Sequence, residues 1–273
     1  MKYHIKSPII KNQKIAPELF ELILKAPEIA KTCKPGQFVQ IKVTDDLNPL
    51  LPRPFSLSSA DAKTDRIAVI YKIIGKGTQI LSQRRKGEML TVTGPLGNSF
   101  WIEPDVKHVA LIAGGTGIGP ILFLAKTLRN SAITKKNPNY QLSIINYHIF
   151  AFLGARSKNL LCGYEQLKNY CEQIFCSTDD GSCGHQGFVT DLIEDKCQKL
   201  KIDQIIAVGP IPMMKKVVRI AQKLQIPSLI SLEERMACGF GICMGCAIKL
   251  TDGKYHLACC DGPVFKGEDV YSP

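Results

Sequence analysis

Short apolar runs alternating with polar positions fill roughly the first hundred residues of the chain. GQFVQIKV (36–43) and RIAVIYKII (66–74) are the clearest, with turn-forming Asp45, Asp46, Asn48, Pro49 and Gly75 around them. This rhythm predicts an antiparallel barrel. After Trp101 the pattern changes: HVALIAGGTGIGPILFLAKTL (108–128) is an apolar strand, a glycine-rich turn and an apolar helix, the signature of a parallel βα unit. The alternation continues through SKNLLCGYEQLKNY (helix), EQIFCST (strand), TDLIEDKCQKL (helix), QIIAVGP (strand) and PMMKKVVRIAQKL (helix), and IPSLISL supplies a last strand. From residue 233 a cysteine-rich tail carries only short β-type pieces. The stretch 131–148 mixes loop composition with a possible strand and reads as an extended surface loop. The expected fold class is therefore β plus α/β, with an antiparallel barrel over 1–102, an α/β domain over 103–228 and a small C-terminal subdomain over 229–273.

Composition adds limits. A chain of 273 residues that is 45% hydrophobic has the make-up of an ordinary globular protein with room for two medium domains and an appendage. The formal charge of +11 favours anionic partners, but the basic residues form no block, so no nucleic-acid partner is expected. MKYHIKSPII lacks the apolar core of a signal peptide, and no apolar run reaches the ~18 residues of a membrane span. A cytoplasmic location with no membrane insertion is the default expectation. Eleven cysteines is an odd number, and their dense late group points to metal ligation rather than disulfides.

The most specific chemical signal is ACGFGICMGC, in which Cys238, Cys243 and Cys246 are spaced C-x4-C-x2-C, with twelve residues between Cys246 and Cys259. That is the spacing of plant-type 2Fe-2S proteins. Glycines 239, 241 and 245 let the backbone fold around the sulfurs, while Phe240, Ile242 and Met244 can exclude water. Structural zinc is the alternative, but its sites pair C-x2-4-C knuckles, and here the fourth ligand has no close partner except its immediate neighbour Cys260. Spacing alone barely separates Cys259 from Cys260. The other six cysteines (33, 162, 171, 176, 183, 197) read as core or surface thiols.

Three further segments carry candidate binding chemistry. In RPFSLSSA (53–60), Arg53 can pair with a phosphate and Ser56 can offer a hydroxyl or amide to a ring edge; the string equally suits an ordinary strand start. In IYKIIGKGTQILSQ (70–83), Thr78 is expected to N-cap a short helix whose Gly77 and Thr78 amides can hold a phosphate. AGGTGIGPI (113–121) follows a buried strand, and Gly114, Gly115, Gly117 and Gly119 let a pyrophosphate approach the helix start, with Thr116 counted in the same binding loop and Pro120 suited to its first turn. It is not the Rossmann fingerprint: Pro120 falls where the third glycine would, and no Asp or Glu occurs from Val106 to Tyr164. Gly209 and Pro210, in VGPIPMM, sit at another strand-to-helix turn, where a nicotinamide or ribose can pack.

Taken in order, RPFS, GKGT, GPLGNSF, GGTGIGP, FLGARSKN, GPIPMM and CGFGICMGC to CCDGPVF resemble the ferredoxin reductase superfamily. More narrowly they resemble the family of dihydroorotate dehydrogenase B electron-transfer subunits. The resemblance runs over essentially the whole chain and implies an FAD-binding barrel, an NAD-binding α/β domain and a 2Fe-2S subdomain. It assigns FAD to Arg53, Pro54, Phe55, Ser56, Ile70, Tyr71, Lys72, Gly77 and Thr78, and the cluster to Cys238, Cys243, Cys246 and Cys259. It implies a partner subunit that oxidises dihydroorotate on FMN, in a heterotetramer serving pyrimidine biosynthesis. Single electrons then pass through the 2Fe-2S centre to FAD and leave as a hydride to NAD+. No general acid or base is needed, and no catalytic side chain is nominated. Val208 stands where related reductases often carry a cysteine, so no thiol contact to the nicotinamide is expected. Arg156, Ser157 and Lys158 can accept a 2'-phosphate, which leaves NADP open. Other readings are a subunit of the same superfamily serving ferredoxin or hydrogenase and, from a different class, a zinc-stabilised nucleotide-binding sensor.

Overall fold

The computed structural model describes residues 1–134 and 146–272. The chain forms two compact units, Met1–Phe100 with Ser231–Phe265 and Trp101–Ile230 with Lys266–Pro273. The cysteine-rich segment thus shares a unit with the N-terminal barrel, and the last residues return to the α/β unit.

The barrel closes six strands: β1 (Tyr3–Ala16), β2 (Leu19–Lys25), β3 (Phe38–Lys42), β4 (Arg53–Asp61), β5 (Arg66–Lys72) and β6 (Met89–Leu96), in the order β1-β2-β5-β4-β3-β6. All neighbours are antiparallel, and closure leaves no strand edge unpaired. Its buried residues include Leu22, Leu24, Val39, Ile41, Leu57, Val69 and Val92. Helix α1 (Pro27–Thr32) follows β2, and α2 (Lys76–Gln83) follows β5. Thr78 is not the N-cap of α2. Gly75 is, and Thr78 lies at the third helical position, where its hydroxyl reaches back to accept from the Ile74 and Gly75 amides. The glycine strand end extends the chain one turn earlier than a threonine cap would.

The cysteine-rich lobe contributes only a small hairpin, β13 (Ala247–Lys249) with β14 (Tyr255–Leu257). Its buried Cys246, Ala258 and Cys259 share one apolar cluster with Phe38 and Leu96 of the barrel. Asn98 fastens this seam. Its Nδ2 donates to the carbonyls of Asp261 and Val264 at 2.9 and 2.8 Å, its Oδ1 accepts from the Val264 amide, and its own amide donates to Gly262. A Cβ on Gly97 would stand 2.5 Å from Pro263, so the turn before Asn98 has to be glycine for the two segments to meet.

The second unit is built on a sheet in the order β10-β9-β8-β7-β11-β12. Its strands are β7 (His108–Gly114), β8 (His148–Ala155), β9 (Gln173–Thr178), β10 (His185–Gln186), β11 (Gln204–Val208) and β12 (Ser228–Ser231). The pairs β7/β8, β8/β9, β9/β10 and β7/β11 are parallel. The main helices are α3 (Ile118–Thr134), α5 (Thr190–Lys199) and α6 (Ile211–Lys223), with a single closing turn, α7 (Gly267–Val270). The helix expected over 157–170 is instead a 3-10 turn at 158–160 followed by one turn, α4 (Tyr164–Leu167). Gly163, at φ +80°, breaks it, because a helical path cannot pass through the left-handed region. Most of the loop expected over 131–148 lies outside the described residues, although α3 continues to Thr134. Among the described residues, no helix is long and apolar enough to cross a membrane.

Replacing Asn98 with Ala strands the amide of Val264 and the carbonyls of Asp261 and Val264 at the seam. The expected loss is about 1–3 kcal/mol, read as a lower thermal midpoint of the purified protein; an unchanged midpoint would mean that the seam is held by the apolar cluster alone.

Candidate functional site

The barrel segment RPFS forms the start of β4, antiparallel to β3, with Val39 opposite Phe55, Gln40 opposite Pro54 and Phe38 opposite Ser56. Side chains alternate across a strand, so Pro54 and Ser56 share one face with Gln40 and Phe38, while Arg53 and Phe55 share the other. Arg53 reaches to α2: a Cβ on Gly77 would stand 2.8 Å from its Nε. The glycine therefore admits a guanidinium against the helix start, whose first amides have no partner within the helix, and the two together suit an anion such as a phosphate. Phe55 and Tyr71 serve the barrel interior. Their rings meet edge-on with centroids 5.7 Å apart, and the Tyr71 hydroxyl donates to Asn12 Oδ1. Lys72 is exposed and ion-pairs with Glu18, and Ile70 is half-buried.

In the α/β unit, chain order reverses at β7. From it the sheet runs through β8 and β9 in one direction and through β11 and β12 in the other. Ligands of open α/β sheets bind at such a switch point, beyond the carboxyl ends of the strands. The two loops leaving there are the predicted ones. Gly114 to Gly117 follow β7, Gly209 and Pro210 follow β11, and the strand ends are in register at Ala113 and Val208. The loops interlock. A Cβ on Gly117 would lie 2.1 Å from the Val208 carbonyl oxygen, one on Gly209 would lie 3.0 Å from the Gly114 amide, and one on Gly114 would press on Met213 and Pro210. Gly115, at φ +57°, faces open space. Met213 packs over both Gly114 and Gly209, a role its place in the sequence did not signal.

The cysteine loop turns on left-handed Gly239, Gly241 and Met244, at φ of +79°, +90° and +55°. These turns aim backbone N–H groups inward. The Cys243 amide donates to Cys238 Sγ and the Gly245 amide to Cys243 Sγ, each at 3.5 Å. Burial alone would raise the Cys238 thiol, but donation from the Cys243, Phe240 and Ile242 amides outweighs it and pulls the thiol down to about 6. Cys246 and Cys259 lie together in the buried cluster at the seam, and burial followed by the neighbouring Cys246 and Cys260 thiols pushes Cys259 well up. Cys260 is exposed, 3.7 Å from Cys259 sulfur to sulfur, and touches the loop at Gly241. The cysteines thus form two pairs, Cys238 with Cys243 and Cys246 with Cys259. Among the described residues no three His, Cys, Asp or Glu side chains are gathered as tightly as a bound ion would hold them. Four soft donors, amides aimed at sulfur and glycine turns without side chains nevertheless suit a cluster. Phe240, Ile242 and Met244 do not screen this loop as expected. They are exposed by 42%, 77% and 62%, because the backbone turns its amides inward and its side chains outward.

Residues 233–271 match the family model for the iron-sulfur cluster binding domain of dihydroorotate dehydrogenase B, and residues 6–101 match an oxidoreductase FAD-binding domain. The dihydroorotate dehydrogenase B (NAD(+)) electron transfer subunit of Bacillus velezensis is 36% identical, covering 95% of this chain and 95% of its own. The subunit of the same name from Clostridium acetobutylicum is 34% identical over 98% and 97%. The chain belongs to the dihydroorotate dehydrogenase B electron transfer subunits. Like them it is an oxidoreductase subunit with an FAD-binding and an iron-sulfur domain, and it serves electron transfer in pyrimidine biosynthesis. The iron-sulfur reading of the cysteine spacing holds against zinc. A solved NADH-dependent reduced ferredoxin-NADP oxidoreductase superposes with a TM-score of 0.84 at 31% identity, over 97% of this chain and 89% of that one. The ferredoxin reductase of carbazole 1,9a-dioxygenase, at 18% identity, TM-score 0.66 and 83% and 67% coverage, shares the fold.

Replacing Gly117 with Ala drives a methyl group into a backbone carbonyl that cannot yield as a side chain tip would. A lower thermal midpoint and an NADH affinity reduced at least about tenfold are expected, a loss of ~1.4 kcal/mol or more in binding; fluorescence titration with NADH checks the second.

Proposed function

We propose that this chain takes electrons singly from an FMN-containing catalytic subunit that oxidises dihydroorotate, and returns them in pairs to NAD+. The observation that carries this reading is the seam: the cysteine loop and the RPFS strand belong to one compact unit and meet on one face of β3. When bound, a 2Fe-2S cluster supplies one-electron transfer and FAD couples it to the two-electron reduction of NAD+. The protein binds and orients. Cys238, Cys243, Cys246 and Cys259 hold the cluster. Arg53 and the Gly77 and Thr78 amides would take a phosphate of FAD, and Ser56 would offer its hydroxyl or amide to the ring system. Pro54, Phe55, Ile70, Tyr71 and Lys72 shape the strands beneath it. Gly114, Gly115, Thr116 and Gly117, with Gly209 and Pro210, receive the nicotinamide nucleotide at the switch point.

The partner docks on Phe240, Ile242 and Met244, an exposed apolar group on the loop that holds three of the four ligands. The assembly is a heterotetramer of two subunits of each kind, in the cytoplasm. The likeness to the ferredoxin-linked oxidoreductase supports a second reading, a subunit serving ferredoxin and NADP.

Purification from the native cells with whatever accompanies the chain decides between them. Flavin and 2Fe-2S absorption bands with dihydroorotate-dependent reduction of NAD+ are expected; the same bands with ferredoxin-linked NADPH turnover instead would establish the second reading. For the ligand set, Cys259→Ser is expected to abolish the 2Fe-2S bands while Cys260→Ser keeps them, with iron content as the check. The reverse pattern would move the fourth ligand to Cys260.

A further inference from the structure

Gln40 is almost wholly buried, at 1% exposure, and neither its Oε1 nor its Nε2 has a hydrogen-bond partner. A buried amide unpaired at both ends is costly, so its place in the fold needs a reason. The position is not incidental. A Cβ on Gly239 would stand 2.5 Å from Gln40 Nε2 and 3.0 Å from its Cδ, so the cluster loop lies directly on the carboxamide one residue after Cys238. Two residues back on the same strand face, Phe38 packs with Cys246 and Cys259. Across the ladder, Gln40 is paired with Pro54 and Phe38 with Ser56, the middle of the flavin segment. The ladder on the other side of β3 slips by one residue between Phe38 and Gln40, a bulge of the kind that re-aims a side chain beside a functional site.

We propose that Gln40 is a positioning residue for the 2Fe-2S cluster, its carboxamide N–H donating to a cluster sulfur on the Cys238 side. The inference rests on the cluster assignment given under Proposed function. Either end of the carboxamide can be presented by a half-turn about its last bond. The amides of Cys243 and Gly245 already donate to loop sulfurs, and Gln40 supplies a donor from the barrel side, where loop amides do not reach. Hydrogen bonds to cluster sulfurs favour the more negative, reduced state and raise the reduction potential. Gln40 thereby sets how readily the cluster accepts an electron, and ties its position to the flavin strand.

The test is a redox titration of the intact complex followed by electron paramagnetic resonance of the reduced cluster. Gln40→Met keeps length and bulk without a donor, and Gln40→His restores one. Q40M is expected to reduce the ratio of reduced to oxidised cluster about tenfold at a fixed poise, a fall of ~59 mV for one electron, and to shift the resonance spectrum. Q40H is expected to recover most of the change, with flavin content and flavin potential unaltered in both. A wild-type cluster potential and spectrum in Q40M would overturn the proposal, as would a shift confined to the flavin potential. If Q40M fails to hold a cluster, Q40H and Q40E decide: the histidine keeps the potential near wild type, the carboxylate lowers it, and equal potentials in the two would overturn the role. A wild-type complex with no 2Fe-2S resonance would instead sink the cluster assignment itself.

Discussion

The cysteine-rich lobe cannot build a core of its own, and much of the barrel unit answers to that. Its only regular structure is one hairpin, its loop spends backbone amides on sulfur, and its large apolar side chains point to solvent. A segment this small folds only against a surface that completes it or around a metal. The barrel provides that surface through Phe38 and Leu96, and Asn98 seals it with side-chain bonds that mimic a strand edge. The order of burial separates the cysteine pairs: Cys246 and Cys259 belong to the shared core, whereas Cys238 and Cys243 sit on the outer turn. In the proposed ligand set, packing alone therefore places half of the donors.

The α/β unit solves a different problem with the same economy of side chains. A nucleotide needs backbone amides and close approach, and the interlocked glycines at the switch point suit both needs in the proposed site. Each loop is shaped by the other, since Gly117 must clear the Val208 carbonyl and Gly209 must clear the Gly114 amide. In electron and hydride transfer the bound cofactors carry the chemistry and the protein sets position and environment.

Much of this was legible in the sequence because it depends on periodicity or fixed spacing. The change from alternating to continuous apolar runs near Trp101 announced barrel and α/β unit, and C-x4-C-x2-C announced the cluster. What escaped depends on contacts between distant segments. Nothing about Asn98 or Gln40 in one dimension shows that the first fastens residues 261–264 or that the second meets Gly239. GPLGNSF reads as a turn, and its work as half of a seam becomes visible only beside DGPVF. The errors were local and have local causes. Gly163 broke a helix that amphipathic pattern alone would continue, and Gly75 displaced Thr78 from the cap. The cluster-loop apolar residues looked protective because composition does not show which way a loop faces.

The eleven thiols of the chain are not alike, and burial and hydrogen bonding separate them electrostatically. Burial pushes Cys33, Cys171 and Cys197 up to about 12 and Cys176 to about 11, so these remain protonated. Cys238 moves the opposite way because its sulfur faces amides. Cys259, in the shared core, moves up through burial and the Cys246 and Cys260 thiols, so a metal held there in the proposed site must displace its proton. The gradient, from the lowered thiol on the outer turn to the raised one in the shared core, runs across the proposed site from the exposed Phe240, Ile242 and Met244 toward β3.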